Sequence, residues 1–262
     1  MNPARILPVL AAALLAPTLA SANERKFTYT YESAVLPQGA RELEIWTTNR
    51  VGREERYNRF DNRLEFEVGL TDRLLHALYL NSKAFVAGEG ASKSGGSEFT
   101  GISSEWKYKL SDAAADAVGM ALYGELSYGP EELEIEAKFI VDKVAGSMHY
   151  AANLVLEYEV EDIMGENEAE QVLELDLAAA YSLSEHFSLG LEARTHTERA
   201  EGEIEHTSVF AGPALAWNAK PMWIALTGLY QLGAFGGEHS GFEQDLHDHE
   251  KVNVRLISGF GF

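Results

Sequence analysis

The sequence predicts an all-β protein: a transmembrane antiparallel up-and-down β-barrel of about twelve strands, with short turns at one end and longer loops at the other. Three observations lead to this class. Apolar and polar residues alternate in run after run, the connections between runs alternate between short and long, and the chain finishes on an aromatic residue.

The alternation is the primary signal. In "RLEFEVGL", Leu64, Phe66, Val68 and Leu70 stand opposite Arg63, Glu65 and Glu67. In "ELEIEAKFIV", Leu133, Ile135, Ala137 and Phe139 alternate with Glu132, Glu134, Glu136 and Lys138, and in "VLELDLAAAYSL" Leu173, Leu175 and Leu177 alternate with Glu174 and Asp176. Ile102, Ser104, Trp106, Tyr108 and Leu110 alternate in the same way with Glu105, Lys107 and Lys109. A period of two over this length means strands with one apolar and one polar face. Runs of about ten residues exceed ordinary globular strands and match a tilted strand crossing a hydrocarbon layer.

The runs fall at 40–51, 60–70, 73–84, 99–110, 117–128, 131–142, 146–159, 169–182, 187–199, 204–217, 222–235 and 251–262. Connections after the even-numbered runs are short, such as "LTDR", "DKVAG" and "WNAKP". Those after odd-numbered runs are mostly longer and rich in charge or glycine, such as "GREERYNRF" and "GGEHSGFEQDLHDHE". With both ends of an even-stranded barrel in the periplasm, the short turns lie inside and the longer loops outside.

The amino-terminal stretch has one cation, Arg5, an apolar run from Ile6 to about Leu19, and Ala20-Ser21-Ala22 as a small-residue cleavage pattern. Residues 1–22 are therefore expected to be a signal peptide, too short in its apolar part for a membrane span. Its removal makes the chain one charge more negative than the −20 of the full sequence. Residues 40–262 are expected to form the barrel. Residues 23–39 come between, with Phe27, Tyr29 and Tyr31 alternating with polar residues before Pro37 and Gly39 break the run. This piece is expected to be an ordered periplasmic lead-in, the alternatives being a short extra strand or a plug in the lumen.

Forty-one acids against 21 Lys and Arg argue against a nucleic-acid partner. The absence of cysteine excludes disulfides and thiolate metal sites. Mean hydropathy is −0.17, a value a soluble protein could share. Aromatic residues near run ends are expected to form girdles, with Trp106, Tyr108, Tyr181, Phe187, Trp217, Trp223 and Phe262 at the inner side and Tyr79, Phe99, Tyr128, Tyr158 and Phe235 at the outer.

The last strand, "KVNVRLISGFGF", must pair with the first, because an open edge in lipid leaves backbone groups unsatisfied. Its apolar row also resembles the carboxy-terminal recognition signal of outer-membrane barrels, matched by Val254, Leu256, Phe260 and Phe262, with Ser258 the one weak position. The resemblance implies outer-membrane lipid as surroundings and the barrel-assembly machinery as a partner during insertion. "LPQGARELEIW" followed by "DNRLEFEVGLTDRL" resembles a little-characterised family of proteobacterial outer-membrane barrels over about the first third of the chain. That resemblance implies the fold and the cell outer membrane, and it carries no agreed activity.

If the apolar rows face lipid, the lumen is lined by Arg63, Glu65, Glu67, Glu105, Lys107, Lys109, Glu125, Glu132, Glu134, Glu136, Lys138, Glu157, Glu174, Asp176, Glu192, Arg194, Lys251 and Arg255. Mixed charge means a hydrated or salt-bridged interior, and the excess of acid would favour cations. The expected function is passive or facilitated passage of small hydrophilic solutes. The alternatives are a hydrolase acting on envelope lipid and a structural or surface-binding barrel whose lumen is blocked. Ser147 with His149, and His196 with Glu198, are the pairs nearest to a catalytic arrangement, but neither lies in a nucleophile motif and no G-x-S-x-G occurs. No catalytic residue and no cofactor is expected. The last outer loop contains His239, His247 and His249 among carboxylates, the residue types that bind zinc, copper or nickel. Their spacing matches no known motif, so they stand as candidates only and the loop is otherwise a solvated polar one.

Overall fold

The computed structural model describes residues 24–54, 56–87, 96–130, 132–161, 168–200, 202–237 and 239–262. The expected signal peptide at 1–22 lies outside these residues. Among them the chain forms thirteen strands. In chain order these are β1 (Arg41–Val51), β2 (Asn58–Thr71), β3 (Leu74–Ala87), β4 (Ser97–Ser111), β5 (Gly119–Tyr128), β6 (Glu132–Ala145), β7 (Met148–Glu161), β8 (Glu168–Ser182), β9 (Phe187–Ala200), β10 (Glu203–Ala219), β11 (Met222–Gly236), β12 (His239–Glu243) and β13 (Val252–Gly261).

Each strand pairs antiparallel with its sequence neighbour from β1 through β11, and β13 joins β11 to β1, closing the sheet. Twelve strands make the barrel. The thirteenth, β12, is a short addition that among the described residues pairs with the outer end of β11 alone, through Ala234 with Glu243 and Gly236 with His239. The alternation did not indicate it, because five residues are too few to carry a period.

The seam bears out the expectation for the chain end. β1 and β13 are in unbroken register from Glu42 opposite Gly261 to Val51 opposite Val252. The Phe262 amide donates to the Arg41 carbonyl at 2.9 Å, and the Phe262 ring sits 6.2 Å from that of Phe66 on the outer surface. Val254, Leu256 and Phe260 point outward with them.

The faces are inverted relative to a water-soluble sheet. Leu64 and Phe66 are 43% and 39% exposed, while Glu65 and Glu67 between them are 1% and 4% exposed. The same holds for Ile135 on β6 and for Leu173, Leu175 and Leu177 on β8, whose neighbours Glu174 and Asp176 are buried. A continuous exposed belt of Leu, Ile and Phe is not tolerated by a soluble monomer, so the belt is a surface for hydrocarbon.

Two girdle expectations are corrected. Trp223 and Tyr79 are buried in the interior rather than at the rims. Trp223 lies against Gly259, where a Cβ would come within 2.2 Å of the indole. Tyr79 packs beneath the Arg63 guanidinium, 4.1 Å from its ring centre. Trp106, Tyr108, Tyr181, Phe187, Phe99, Tyr128, Tyr158 and Phe235 are on the outer surface as expected.

Leu175 is at the middle of β8 and faces outward. Replacing it with Arg is expected to lower the unfolding free energy in phospholipid vesicles by about 2–4 kcal/mol. A denaturant titration that finds Leu175→Arg as stable as the parent would contradict a hydrocarbon-facing belt.

Candidate functional site

The interior is divided in two along the barrel axis. The inner half is filled by residues 24–36, and the outer half is a polar vestibule. The amino-terminal segment therefore does not remain a periplasmic lead-in; it turns back into the lumen. Its alternating aromatics give the physical reason, since they find apolar ground only inside. Phe27 packs on Ala151, Ala180 and Ala214, and Tyr29 on Phe210 and Leu229. Tyr31 meets Trp46, Tyr123 and Ile140, and Val35 and Leu36 meet Leu75, Ala77 and Tyr79. The wall makes room with small residues. A Cβ on Gly69 would lie 2.1 Å from the Pro37 carbonyl oxygen, so the segment can enter only past a glycine.

Polar groups of the wall satisfy the segment's backbone. The buried Glu192 carboxylate accepts the amides of Thr28, Tyr29 and Thr30, each at 2.8 Å, and the hydroxyl of Thr227 at 2.5 Å. Three successive amides converging on one anion form a backbone nest. The Asn153 side chain pairs with Tyr31 on both sides, accepting from its amide at 2.5 Å and donating to its carbonyl at 3.0 Å. Arg255 lies 3.9 Å from the centre of the Tyr29 ring and Lys138 4.1 Å from that of Tyr31. Such cation–π contacts contribute about 0.5–2 kcal/mol each. At the segment's inner turn, the His149 ring is held between Asp142 at 2.8 Å and Glu32 at 3.1 Å. Ser147 is in the exposed β6–β7 turn, so the Ser147–His149 pair is not assembled.

Of the residues expected in the lumen, Glu65, Glu67, Glu105 and Lys107 surround the inner half. They are joined there by Glu42 and Glu44, which the sequence reading passed over although "RELEIW" carries the same alternation. Arg25, from the segment itself, lies buried above the Tyr31 and Trp46 rings among these acids. Lys109 sits at the inner rim, 3.7 Å from Asp112. Two turn amides, from Ala115 and Ala114, donate to Asp112 and hold its pKa below the usual carboxylate value.

The vestibule is a cavity of about 480 Å³. Arg63, Glu125, Glu132, Glu134, Glu136, Lys138, Glu157, Glu174, Asp176, Arg194 and Arg255 line it. So do Arg50, Arg53, Arg59 and Lys83, which were not singled out before. The charges are unevenly distributed by strand, with Asp61 among the cations of β1 and β2, and Lys138 and Arg194 among the acids of β6 to β9. Arg50, Arg59, Arg63, Lys83 and Arg255 belong to β13, β1, β2 and β3, a contiguous arc of the wall. Glu125, the three acids of β6, Glu157, Glu174, Asp176 and Glu198 belong to β5 through β9, the arc across the lumen. The register puts Glu125 beside Glu136 and Glu136 beside Glu157, like charges in one row. That row works against folding, and it is countered by Lys138, 2.9 Å from Glu136, and by Arg63, 3.4 Å from Glu125. Arg194 is paired with Glu174 and lies 3.9 Å from Asp176.

The last outer loop folds over the vestibule instead of standing in solvent. Asp245, His249 and Glu250 are buried, and Glu250 is bound by Arg53 at 3.1 Å and Arg50 at 3.5 Å. His247 points away, its side chain 81% exposed, and its hydrogen bond with Asp248 raises the imidazole pKa. The His239 side chain lies outside the described residues.

A closed twelve-strand barrel, apolar outside and charged within, is of the outer-membrane β-barrel type. The chain belongs to a family of unknown function, DUF6662, whose pattern matches residues 19–262. No curated protein sequence matches it. Among solved structures it is similar to the NanC porin, with a TM-score of 0.57 and 10% identity over 83% of this chain and 98% of the porin. It is also similar to the β domain of the Bordetella autotransporter Brka, with a TM-score of 0.50 and 10% identity over 86% of this chain and 100% of that domain. At such identities the likeness is one of fold.

Glu192 is the anchor on which the inner segment depends. In Glu192→Gln the anion facing three amides is lost, and hydrogen bonds to a charged group contribute about 1.5–3 kcal/mol. Tryptic cleavage at Arg25 and Lys26 in detergent micelles is expected to accelerate by about tenfold or more, with the barrel itself still folded. Unchanged protection of the segment would show that the nest does not hold it.

Proposed function

We propose that the protein is a gated passage for small hydrophilic solutes in the outer membrane, with the amino-terminal segment as the gate. The observation that supports this reading is the nature of the obstruction. The inner half of the lumen is filled by a segment that joins the barrel at Ala40 and is held by non-covalent contacts, with the alanines Ala151, Ala180 and Ala214 behind Phe27 and a largely charged wall around the rest. Twelve strands enclose more space than the self-filled eight-stranded barrels, so withdrawing the segment leaves a hydrated path. Export by the signal peptide at 1–22, and insertion by the assembly machinery reading Val254, Leu256, Phe260 and Phe262, belong to the same proposal.

The excess of cations on β1 to β3 and of acids on β5 to β9, after Asp61, Lys138 and Arg194 are counted, creates a field across the vestibule, which orients a solute carrying both signs of charge. The Glu125–Glu136–Glu157 row supports an electrostatic role, because a repulsive row adds nothing to the stability of the barrel. The net acidic lumen favours the cationic end of a solute and small cations in general.

In planar bilayers the intact mature chain is expected to be mostly closed, and deletion of residues 24–32 to produce a sustained conductance. In that open variant, Glu134→Gln combined with Glu136→Gln is expected to lower the cation-to-anion permeability ratio severalfold, read from the reversal potential in a salt gradient. A folded deletion variant that stays electrically silent would refute passage and favour the closed, surface-binding reading.

A further inference from the structure

Two histidines of the β9–β10 hairpin, His196 and His206, meet the distant His249 at the outer rim of the vestibule. His196 and Glu198 are on the lumenal face of β9, His206 is on β10, and His249 is in the loop between β12 and β13. The β9–β10 register pairs His206 with Glu198, and the inward fold of the loop brings the His249 ring centre to 4.6 Å from that of His206 and 5.0 Å from that of His196.

The ring nitrogens converge in a particular way. The His249 Nε2 lies 2.5 Å from the His206 Nε2 and 3.4 Å from the Glu198 Oε1. The His196 Nε2 lies 2.8 Å from the same Oε1, and the His206 Nε2 lies 3.4 Å from the Glu198 Oε2. Three Nε2 atoms therefore gather around one carboxylate. The opposite nitrogens of two of the rings face acids: the His196 Nδ1 is bonded to Glu174, and the His206 Nδ1 is 3.9 Å from the Asp245 Oδ2. An outer carboxylate on Nδ1 that leaves Nε2 to point inward is how proteins orient histidine toward a metal.

We propose that His196, His206 and His249, through Nε2, together with Glu198 form a binding site for one divalent first-row transition-metal ion of the zinc kind. Three imidazoles and one carboxylate are a donor set that zinc accepts in tetrahedral coordination, whereas calcium and magnesium require mostly oxygen. Tetrahedral zinc at about 2.0–2.1 Å from each nitrogen spaces its ligands about 3.3 Å apart. The His206–His249 separation need open by less than about 1 Å to reach this, and His249, being on a loop, can move that far. Without an ion, two ring nitrogens at this distance must share one hydrogen or oppose their lone pairs. Bound metal would fasten the loop to β9 and β10 on one side of the vestibule, as the Arg50 and Arg53 contacts with Glu250 fasten it on the other.

The test is titration of the full mature barrel, folded in detergent and stripped with chelator, with zinc and then with cobalt(II). One zinc per chain is expected, together with the intense visible absorption of tetrahedral cobalt(II). His206→Ala and His249→Ala are each expected to weaken zinc binding by about a hundredfold or more, and His247→Ala to leave it unchanged. The heat-dependent gel shift of folded barrels serves to show that each variant has assembled. Absence of stoichiometric zinc on the folded parent would overturn the site. So would binding that survives both ligand substitutions, or that disappears equally with His247→Ala.

Discussion

A backbone amide or carbonyl without a partner in hydrocarbon costs several kcal/mol, and a strand facing lipid has no water to supply one. Every main feature of this protein follows from meeting that demand. The chain must close on itself, so β13 has to reach β1 and pair along its whole length, as it does from Glu42–Gly261 to Val51–Val252. Closure in turn leaves two surfaces with opposite requirements. Leucine, isoleucine and phenylalanine occupy the one that meets lipid, and more than a dozen carboxylates and guanidinium groups occupy the one that is enclosed.

Enclosing so many charges creates a second demand, since a charge removed from bulk water needs a counter-charge, a donor or a hydrated space. The inner and outer halves meet it differently. In the inner half the amino-terminal segment meets part of it, with its amides on Glu192, its Arg25 among the acids and its aromatic rings under Arg255 and Lys138, while oxygens of Glu42, Glu44, Glu65, Glu67 and Glu105 stay buried without a hydrogen-bond partner. In the outer half the arginines of one arc and the glutamates of the other leave a cavity between them. The proposed gate is thus also a neutralising element, so its withdrawal is coupled to whatever water or solute replaces it. The Arg50 and Arg53 contacts with Glu250 and the His206–His249 contact hold the last loop over the same cavity.

Much of this was legible in the chain. Alternation in runs such as "RLEFEVGL" and "ELEIEAKFIV" located the barrel strands and assigned their faces, because a period of two is a local property and membrane crossing makes the runs long. Tyr79 and Trp223 were misplaced because an aromatic near a strand end is compatible with either face. Trp223 points inward only because Gly259 on the neighbouring strand leaves space for the indole. The short β12 had no period to reveal it.

The sequence by itself determined the twelve barrel strands, the inside and outside of those that alternate clearly and the need for the last strand to meet the first, all of which depend on residues adjacent in the chain. Only the tertiary structure decided that residues 24–36 turn into the lumen, that most cations and most acids of the vestibule lie on different arcs, and that His196, His206 and His249 come together in space. Those outcomes depend on which strands face each other across a closed barrel and on how loops and termini pack inside it. Apart from the His196, Glu198 and His206 grouping, which one hairpin brings together, such distances are set by the curvature and register of the whole sheet and leave no mark in any short stretch of sequence.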